Sequence, residues 1–223
     1  MGGWFEYVAA WAVFLLSHMI PARPGLRGRL VGMLGRRGYT IAYSILSVVI
    51  FLWLVRAAGR APFVGLWPRP DWGPWFVLAM MTLALGILTF GLGRPNPFSF
   101  GGSGGAFDPA RAGVLRFVHH PVLATAFLWA LAHMVVNGDL AHVILFGGFV
   151  GFAIFGKLAL DARNRRRMGE AAWAEAVAAT RAAPLRPAWG TLVRALVTLA
   201  LVLVLVALHP WLAGIDIEPL FRP

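Results

Sequence analysis

Residues 121–158 read PVLATAFLWALAHMVV, then NGD, then LAHVILFGGFVGFAIFGKL. Each apolar segment is close to the ~20 residues that an α-helix needs to cross ~30 Å of hydrocarbon. The residues between the segments are Asn137, Gly138 and Asp139. All three favour turns, and so short a connection allows only a tight reversal of the chain. This stretch therefore predicts two antiparallel transmembrane helices joined as a hairpin.

Four further apolar stretches accompany the hairpin. The predicted spans are Trp4–Ile20, Tyr39–Val55, Pro74–Leu92, Pro121–Val136, Leu140–Leu158 and Thr191–His209. The chain of 223 residues is 59% hydrophobic and only 13% charged, whereas about a quarter of the residues in a soluble domain are charged. Lipid can solvate so much apolar surface, but water cannot. We expect an all-α, polytopic membrane helix bundle of about six transmembrane helices, forming a single domain over residues 1–223.

Basic residues cluster on one side of these spans. Of the 20 lysine and arginine residues, all but Arg56, Arg60, Arg69 and Arg222 lie in or beside the first, third and fifth gaps. Basic residues favour the cytoplasmic side of a membrane, so the first, third and fifth gaps are expected in the cytoplasm. With six spans, both termini are then expected in the periplasm. Residues 168–183 mix charged residues with apolar ones, which predicts an amphipathic helix on the cytoplasmic surface.

Composition also excludes several classes of function. The net charge of +11 is concentrated between apolar runs, which is typical of membrane orientation and speaks against nucleic-acid binding. The chain has no cysteine, so disulfides and thiolate metal sites are excluded. It also lacks the complete phosphate-binding motif GxxxxGK[ST], since Leu158 follows the GFAIFGK of residues 151–157, and the zinc-protease motif HExxH.

Ionisable side chains inside a membrane span are costly and are therefore functional candidates. His133 lies within the fourth span on one helical stripe with Trp129 and Asn137, His18 ends the first span, and His120 opens the fourth. Two histidines on facing helices could ligate a haem iron, and flat aromatic neighbours suit a porphyrin. The alternative is that histidines hydrogen-bond across helices or lie at the interface. That interpretation fits best the histidines near span boundaries: His119, His142 and His209.

Depth in the bilayer bears on which histidines could form a pair. Counting ~1.5 Å per residue from the predicted span ends, His18 and His133 differ in depth by ~9 Å. Helix tilt or a shift of the span boundaries would have to absorb this difference. Depth alone would rather pair His18 with His120, or His133 with His209.

Several short motifs occur together in this chain. They are SH at 17–18, LR at 26–27, GRRGY at 35–39, GVLRFVHHP at 113–121, LWALAH at 128–133, NGDL at 137–140 and DAR at 161–163. In this combination the chain resembles the NnrU family, and the resemblance extends from the first span to about His209 and Pro210.

The resemblance implies a multi-pass protein of the bacterial inner membrane, linked to denitrification and nitric oxide metabolism. The family also includes the plant and algal 15-cis-zeta-carotene isomerase, a membrane enzyme that uses b-type haem. The iron ligands implied by its motifs fall on His18 and His133 of this chain, and His120 matches a third motif histidine. The resemblance therefore implies haem b as a cofactor held by His18 and His133, with His120, Trp129 and Asn137 as further cofactor-binding candidates.

The chain departs from the family pattern at two places. It has His119 where the family usually has arginine, and Phe152-Ala153 where the isomerase has two histidines. The first hypothesis is a haem protein of redox or nitric oxide metabolism. The alternatives are a haem-dependent isomerase of a polyene such as zeta-carotene, and a cofactor-free membrane subunit or assembly factor.

The expected partners follow from the membrane setting. They are the lipid bilayer, a lipid-soluble substrate, and either a second copy of the chain or other subunits of a membrane complex. Gly147 and Gly151 form a GxxxG step that permits close helix packing, within one chain or between two copies in a homodimer.

Overall fold

The computed structural model of the chain describes residues 2–21, 23–100, 105–184 and 189–217. Within these ranges every regular element is a helix, so the predicted all-α class is confirmed. The α-helices are α1 (Gly2–Met19), α2 (Pro24–Arg60), α3 (Gly73–Gly91), α4 (Pro121–Val136), α5 (Leu140–Met168), α6 (Glu170–Ala182) and α7 (Trp189–Ala213). Two short 3₁₀ helices, Pro109–Arg111 and Gly113–Arg116, precede α4. Apart from Ile20 and Leu92 at two span ends, each predicted span lies within one helix.

Four of the helices, α2, α3, α5 and α7, are long and apolar enough to cross a membrane. α4 is also apolar, but it has only 16 residues. On α7 the side chains of Leu192, Leu196, Leu199 and Leu203 are more than half exposed. A helix that exposes so many large apolar side chains is stable in lipid rather than in water. The chain is a multi-pass membrane protein.

Two helices run past the predicted span boundaries. We expected a connecting gap before Tyr39, but α2 already begins at Pro24 and only kinks at Gly35, where φ is +70°. α5 likewise continues beyond Leu158 to Met168, and the next residue, Gly169, has a φ of +84°. Proline suits the first turn of a helix, and arginine and alanine have high helix propensity. These polar helical segments therefore form without the apolar pattern that marks a span.

The chain forms two compact units, and the first consists of Met1–Leu66, Asp139–Leu145 and Leu208–Asp216. In this unit α1 packs against α2. The Glu6 carboxylate of α1 accepts hydrogen bonds from the indole of Trp53 at 3.0 Å and from Nε of Arg60 at 3.2 Å. The Tyr7 side chain is only 2% exposed and donates to the Ala141 carbonyl at 2.7 Å. These polar contacts anchor the first half of α1 inside an otherwise apolar environment.

The second unit consists mainly of Trp67–Gly138 and Phe146–Ala207. In it α4 packs against α3, and the Thr125 hydroxyl donates to the Ala84 carbonyl at 2.9 Å. α4 also contacts α5: the Trp129 ring lies 5.3 Å from that of Phe149, and Gly156 faces Leu123. Because the higher-numbered residue of α4 meets the lower-numbered residue of α5, the two helices are antiparallel, as the hairpin prediction requires.

The segment between α3 and α4 holds α6 in place. Ala112 and Leu115 of the 3₁₀ region and Ala183 after α6 are all buried in one apolar cluster with Phe107. The Arg116 guanidinium adds a hydrogen bond of 2.8 Å to the Ala183 carbonyl. The predicted amphipathic helix is therefore present as α6, and its end is fixed beside the start of α4.

Candidate functional site

His133 lies in the last turn of α4 among aromatic rings. The centre of its imidazole is 5.6 Å from the Trp129 ring and 5.3 Å from the Phe146 ring. Trp129 in turn makes edge contacts with Phe146 and Phe149 at 5.2 and 5.3 Å. Helical periodicity brings Trp129 and His133 together, and the antiparallel packing of α5 supplies the two phenylalanines.

A hydrogen bond determines which nitrogen of His133 carries the proton. Nδ1 lies 2.8 Å from the Trp129 carbonyl, to which only an N–H can donate. In the neutral imidazole the lone pair is therefore on Nε2. The Asn137 amide donates to the His133 carbonyl at 2.8 Å. Asn137 thus binds the backbone at the end of α4, through the carbonyl of His133 rather than its imidazole.

His18 has the same tautomer in the first unit. Its Nδ1 donates to the Phe14 carbonyl at 2.7 Å, which places the lone pair on Nε2. Its ring lies 4.4 Å from the Phe14 ring and 5.9 Å from the Tyr43 ring. His18 and His133 belong to different compact units, so their pairing stays a prediction.

His120 is bound to an acidic residue that the sequence analysis did not select. Its Nε2 lies 2.9 Å from Oδ1 of Asp161, and the other carboxylate oxygen accepts from Lys157 at 2.8 Å. His120 is only 4% exposed. The extension of α5 beyond the predicted span carries Asp161 to this position, one helical turn after Lys157. The signal in the sequence was the Lys-to-Asp spacing of four at the end of an apolar run.

His120, Lys157 and Asp161 line a cavity of ≈ 490 Å³. The wall is apolar on one side, where it is formed by Leu123, Ala124, Phe127, Ala153 and Ile154. The other side carries polar and charged groups: His119, His120, Lys157, Asp161, Arg165 and Arg181. α6 contributes Trp173 and Val177 to the same wall. The cavity is thus amphipathic, with its charges at the ends of α4 and α5 that lie near α6.

His119 is a neutral member of this wall. Its ring lies 4.6 Å from the Phe98 ring, and its carbonyl accepts a hydrogen bond of 3.0 Å from Asn96. Burial, with a smaller contribution from the positive charge of Arg181, lowers the pKa of His119 to about 4. The imidazole is therefore uncharged at neutral pH.

The two remaining histidines, His142 and His209, each make a local hydrogen bond. His142 Nδ1 lies 2.6 Å from the Asp139 carboxylate, which also accepts from the backbone N–H of His142 at the start of α5. His209 Nδ1 donates to the Ile215 carbonyl at 2.9 Å and holds the turn after α7. Over the described ranges no group of three or more histidine, aspartate or glutamate side chains is placed to hold a metal ion.

Comparison with known proteins gives one match. The model of the family described as NnrU protein matches residues 6–217, which is nearly the whole chain. No curated protein and no solved structure matches. The matched range contains the His133 cluster, His18 and the His120–Asp161 cavity. The chain belongs to the NnrU protein family.

Proposed function

We propose that this NnrU-family membrane protein binds b-type haem and that His133 donates Nε2 to the iron. The observation that carries the proposal is the hydrogen bond from Nδ1 of His133 to the Trp129 carbonyl. Histidine ligands of metals usually donate their second N–H in this way, which orients the ring and makes it more basic. The residues around His133 also fit the flat apolar face of a porphyrin, because Trp129 and Phe146 both lie within 6 Å of the imidazole.

His18 is the second ligand that the family resemblance implies. Its hydrogen bond to the Phe14 carbonyl gives it the same ligand-ready tautomer as His133. The ring contacts with Phe14 and Tyr43 limit the orientations that its imidazole can adopt. We therefore keep His18 as the first candidate for the second ligand.

Bound haem would supply reversible one-electron chemistry, and a small diatomic molecule would bind its iron only by displacing one of the two histidines. The chain's own residues would orient the ligand and control its environment. Trp129 and Phe146 make the surroundings of the His133 ring apolar, and low polarity around a haem tunes its reduction potential. We propose a role in redox or nitric oxide metabolism linked to denitrification.

The first test is a visible absorption spectrum of the full chain, purified in mild detergent from haem-replete cells. Two imidazole ligands should give a low-spin spectrum that sharpens on reduction. Nitric oxide added to the reduced protein should shift the bands. A colourless preparation that also fails to respond to added haemin would contradict the proposal. Conversion of 15-cis-zeta-carotene by the reduced protein would favour the isomerase instead.

We also propose that all six apolar helices cross the inner membrane with both termini in the periplasm. The six predicted spans all lie in helices, and lysine and arginine residues gather in alternate gaps. A reporter that is active only in the cytoplasm should therefore be silent after Pro223 and active between α5 and α7. Activity of the fusion after Pro223 would contradict this orientation.

A further inference from the structure

The cavity beside His120 has a separate chemistry from the His133 cluster. Three basic side chains, Lys157, Arg165 and Arg181, line it together with one carboxylate, Asp161. Asp161 is already paired with His120 and Lys157. Arg165 lies 3.8 Å from Glu170 and packs its guanidinium 4.2 Å from the centre of the Trp173 ring. Positive charge therefore exceeds negative charge at this end of the cavity.

The same wall holds nitrogens that lack a hydrogen-bond partner. Among the described residues these are Nδ1 of His120, Nε2 of His119 and Nε1 of Trp173. The His120 side chain is more than nine-tenths buried. Buried polar atoms in proteins nearly always have a hydrogen-bond partner, so three unpaired nitrogens in one wall indicate a site for a ligand or water. The Trp173 indole can only donate a hydrogen bond, so it requires an acceptor.

Another part of the cavity wall is apolar. Leu123 and Phe127 of α4 and Ala153 and Ile154 of α5 form it, and all four lie within the predicted spans. Ile154 lines the cavity and its side chain is 45% exposed, so the cavity is open along α5 at a position inside the predicted span. An apolar chain could therefore reach the cavity laterally from the lipid. The volume lies in the ~300–1,000 Å³ range that is usual for small-molecule sites.

We propose that this cavity binds a phosphate-headed amphiphile with one acyl or isoprenoid chain. The head would accept hydrogen bonds from Lys157, Arg181 and the Trp173 indole, and the chain would pack along Leu123, Phe127 and Ile154. A phosphate monoester carries about −1.5 to −2 charge at pH 7 and offers three acceptor oxygens. Its charge and acceptors thus match the excess of basic groups and the unpaired N–H of Trp173 in the wall.

The test is equilibrium binding to the full chain in maltoside detergent, measured by titration calorimetry with three probes. These are dodecyl phosphate, inorganic phosphate and dodecanol, which supply head and tail, head alone and tail alone. Dodecyl phosphate should bind at least roughly tenfold more tightly than either of the other two. Equal affinity for inorganic phosphate would show a free-anion site, and equal affinity for dodecanol would show an apolar site. Either result, or no binding of any of the three probes, would overturn the proposal.

Matched variants distinguish the cavity from general surface charge. Arg181→Gln should weaken dodecyl phosphate binding roughly tenfold, and Trp173→Phe should weaken it while keeping the ring beneath Arg165. Arg163→Gln removes the same charge from an exposed position of α5 outside the cavity wall, and should leave the affinity unchanged. His133→Ala should also leave it unchanged, so haem loss and lipid binding are separate readouts. An equal loss in Arg163→Gln and Arg181→Gln would overturn the assignment.

Discussion

Nε2 of His120 lies 2.9 Å from the carboxylate of Asp161, which is 41 positions later in the chain. The contact joins the start of α4 to the polar end of α5. The Asp161 carboxylate binds both His120 and Lys157. The pair therefore connects the first residues of α4 to the charged end of α5, beyond the predicted span.

Removal of the Asp161 carboxylate should destabilise the protein. Asp161→Ala leaves the buried His120 ring without its acceptor, which typically costs about 1–3 kcal/mol. Glu170→Ala is the control, because Glu170 forms only an exposed ion pair at 3.8 Å, and such pairs contribute about 0–1 kcal/mol. Thermal unfolding in detergent should show a clearly lower Tm for Asp161→Ala. Equal Tm values for the two variants would mean that the His120 contact contributes little.

Substitution of His133 should change the haem spectrum. His133→Ala removes the proposed iron ligand, so the low-spin bands should disappear or convert to a high-spin spectrum. His142→Ala serves as the control, because His142 lies at the start of α5 and the family resemblance does not imply it as a ligand. A low-spin spectrum that survives in His133→Ala and disappears in His142→Ala would contradict the ligand assignment.

The family resemblance and the estimate of depth in the bilayer predict different second ligands for the haem. The resemblance implies His18, and depth favours His209. His18→Ala should lose six-coordinate haem, whereas His209→Ala should keep it, because the family resemblance implies His18 as the ligand and not His209. Both variants are to be compared in the same detergent by absorption and electron paramagnetic resonance spectra. If His209→Ala alone loses the low-spin signal, depth was the better guide and His18 is not the ligand.

Acid should destabilise the protein through His119. The folded-state pKa of His119 is lowered to about 4 from the usual 6.5 because its ring is buried. As pH falls through 6.5 the unfolded chain takes up this proton and the folded chain does not, so stability is lost between about pH 6.5 and 4. Below the folded pKa the loss stops growing. His119→Phe keeps a ring against Phe98 and should flatten the fall in Tm over that range; an unchanged slope would assign the effect to other groups.

Two glycines of α3 should respond oppositely to alanine. A Cβ at Gly91 would collide with the Pro121 ring at the start of α4, whereas a Cβ at Gly86 meets nothing within 4 Å. Gly91→Ala should therefore cost about 1–3 kcal/mol. Gly86→Ala should be neutral or stabilise by up to ~1 kcal/mol, because alanine favours helix over glycine. Thermal unfolding of both variants measures the difference, and a loss of stability in Gly86→Ala of similar size would contradict the packing at Pro121.

Hydropathy and turn propensity are local properties, and they sufficed to locate the apolar helices. The turn at residues 137–139 and the antiparallel α4–α5 pair follow from them. The contact between His133 and Trp129 was equally predictable, because residues four positions apart meet on one helical face. The start of α2 at Pro24 and the end of α5 at Met168 were not predicted. Polar helical segments carry no apolar pattern. The polar first part of α2 ends at the kink at Gly35, and the polar last part of α5 ends before Gly169; both glycines have positive φ.

The partner of His120 could not be read from any local pattern. Asp161 was recognised only as part of a motif, and Lys157 only as one of the basic residues that indicate orientation. They meet His120 because α4 and α5 pack at a particular register and α5 stays helical past the apolar run. The cavity depends in addition on α6, since it is the space left between side chains of α4, α5 and α6. Such space is a property of three-dimensional packing between distant segments, and neither composition nor periodicity encodes it.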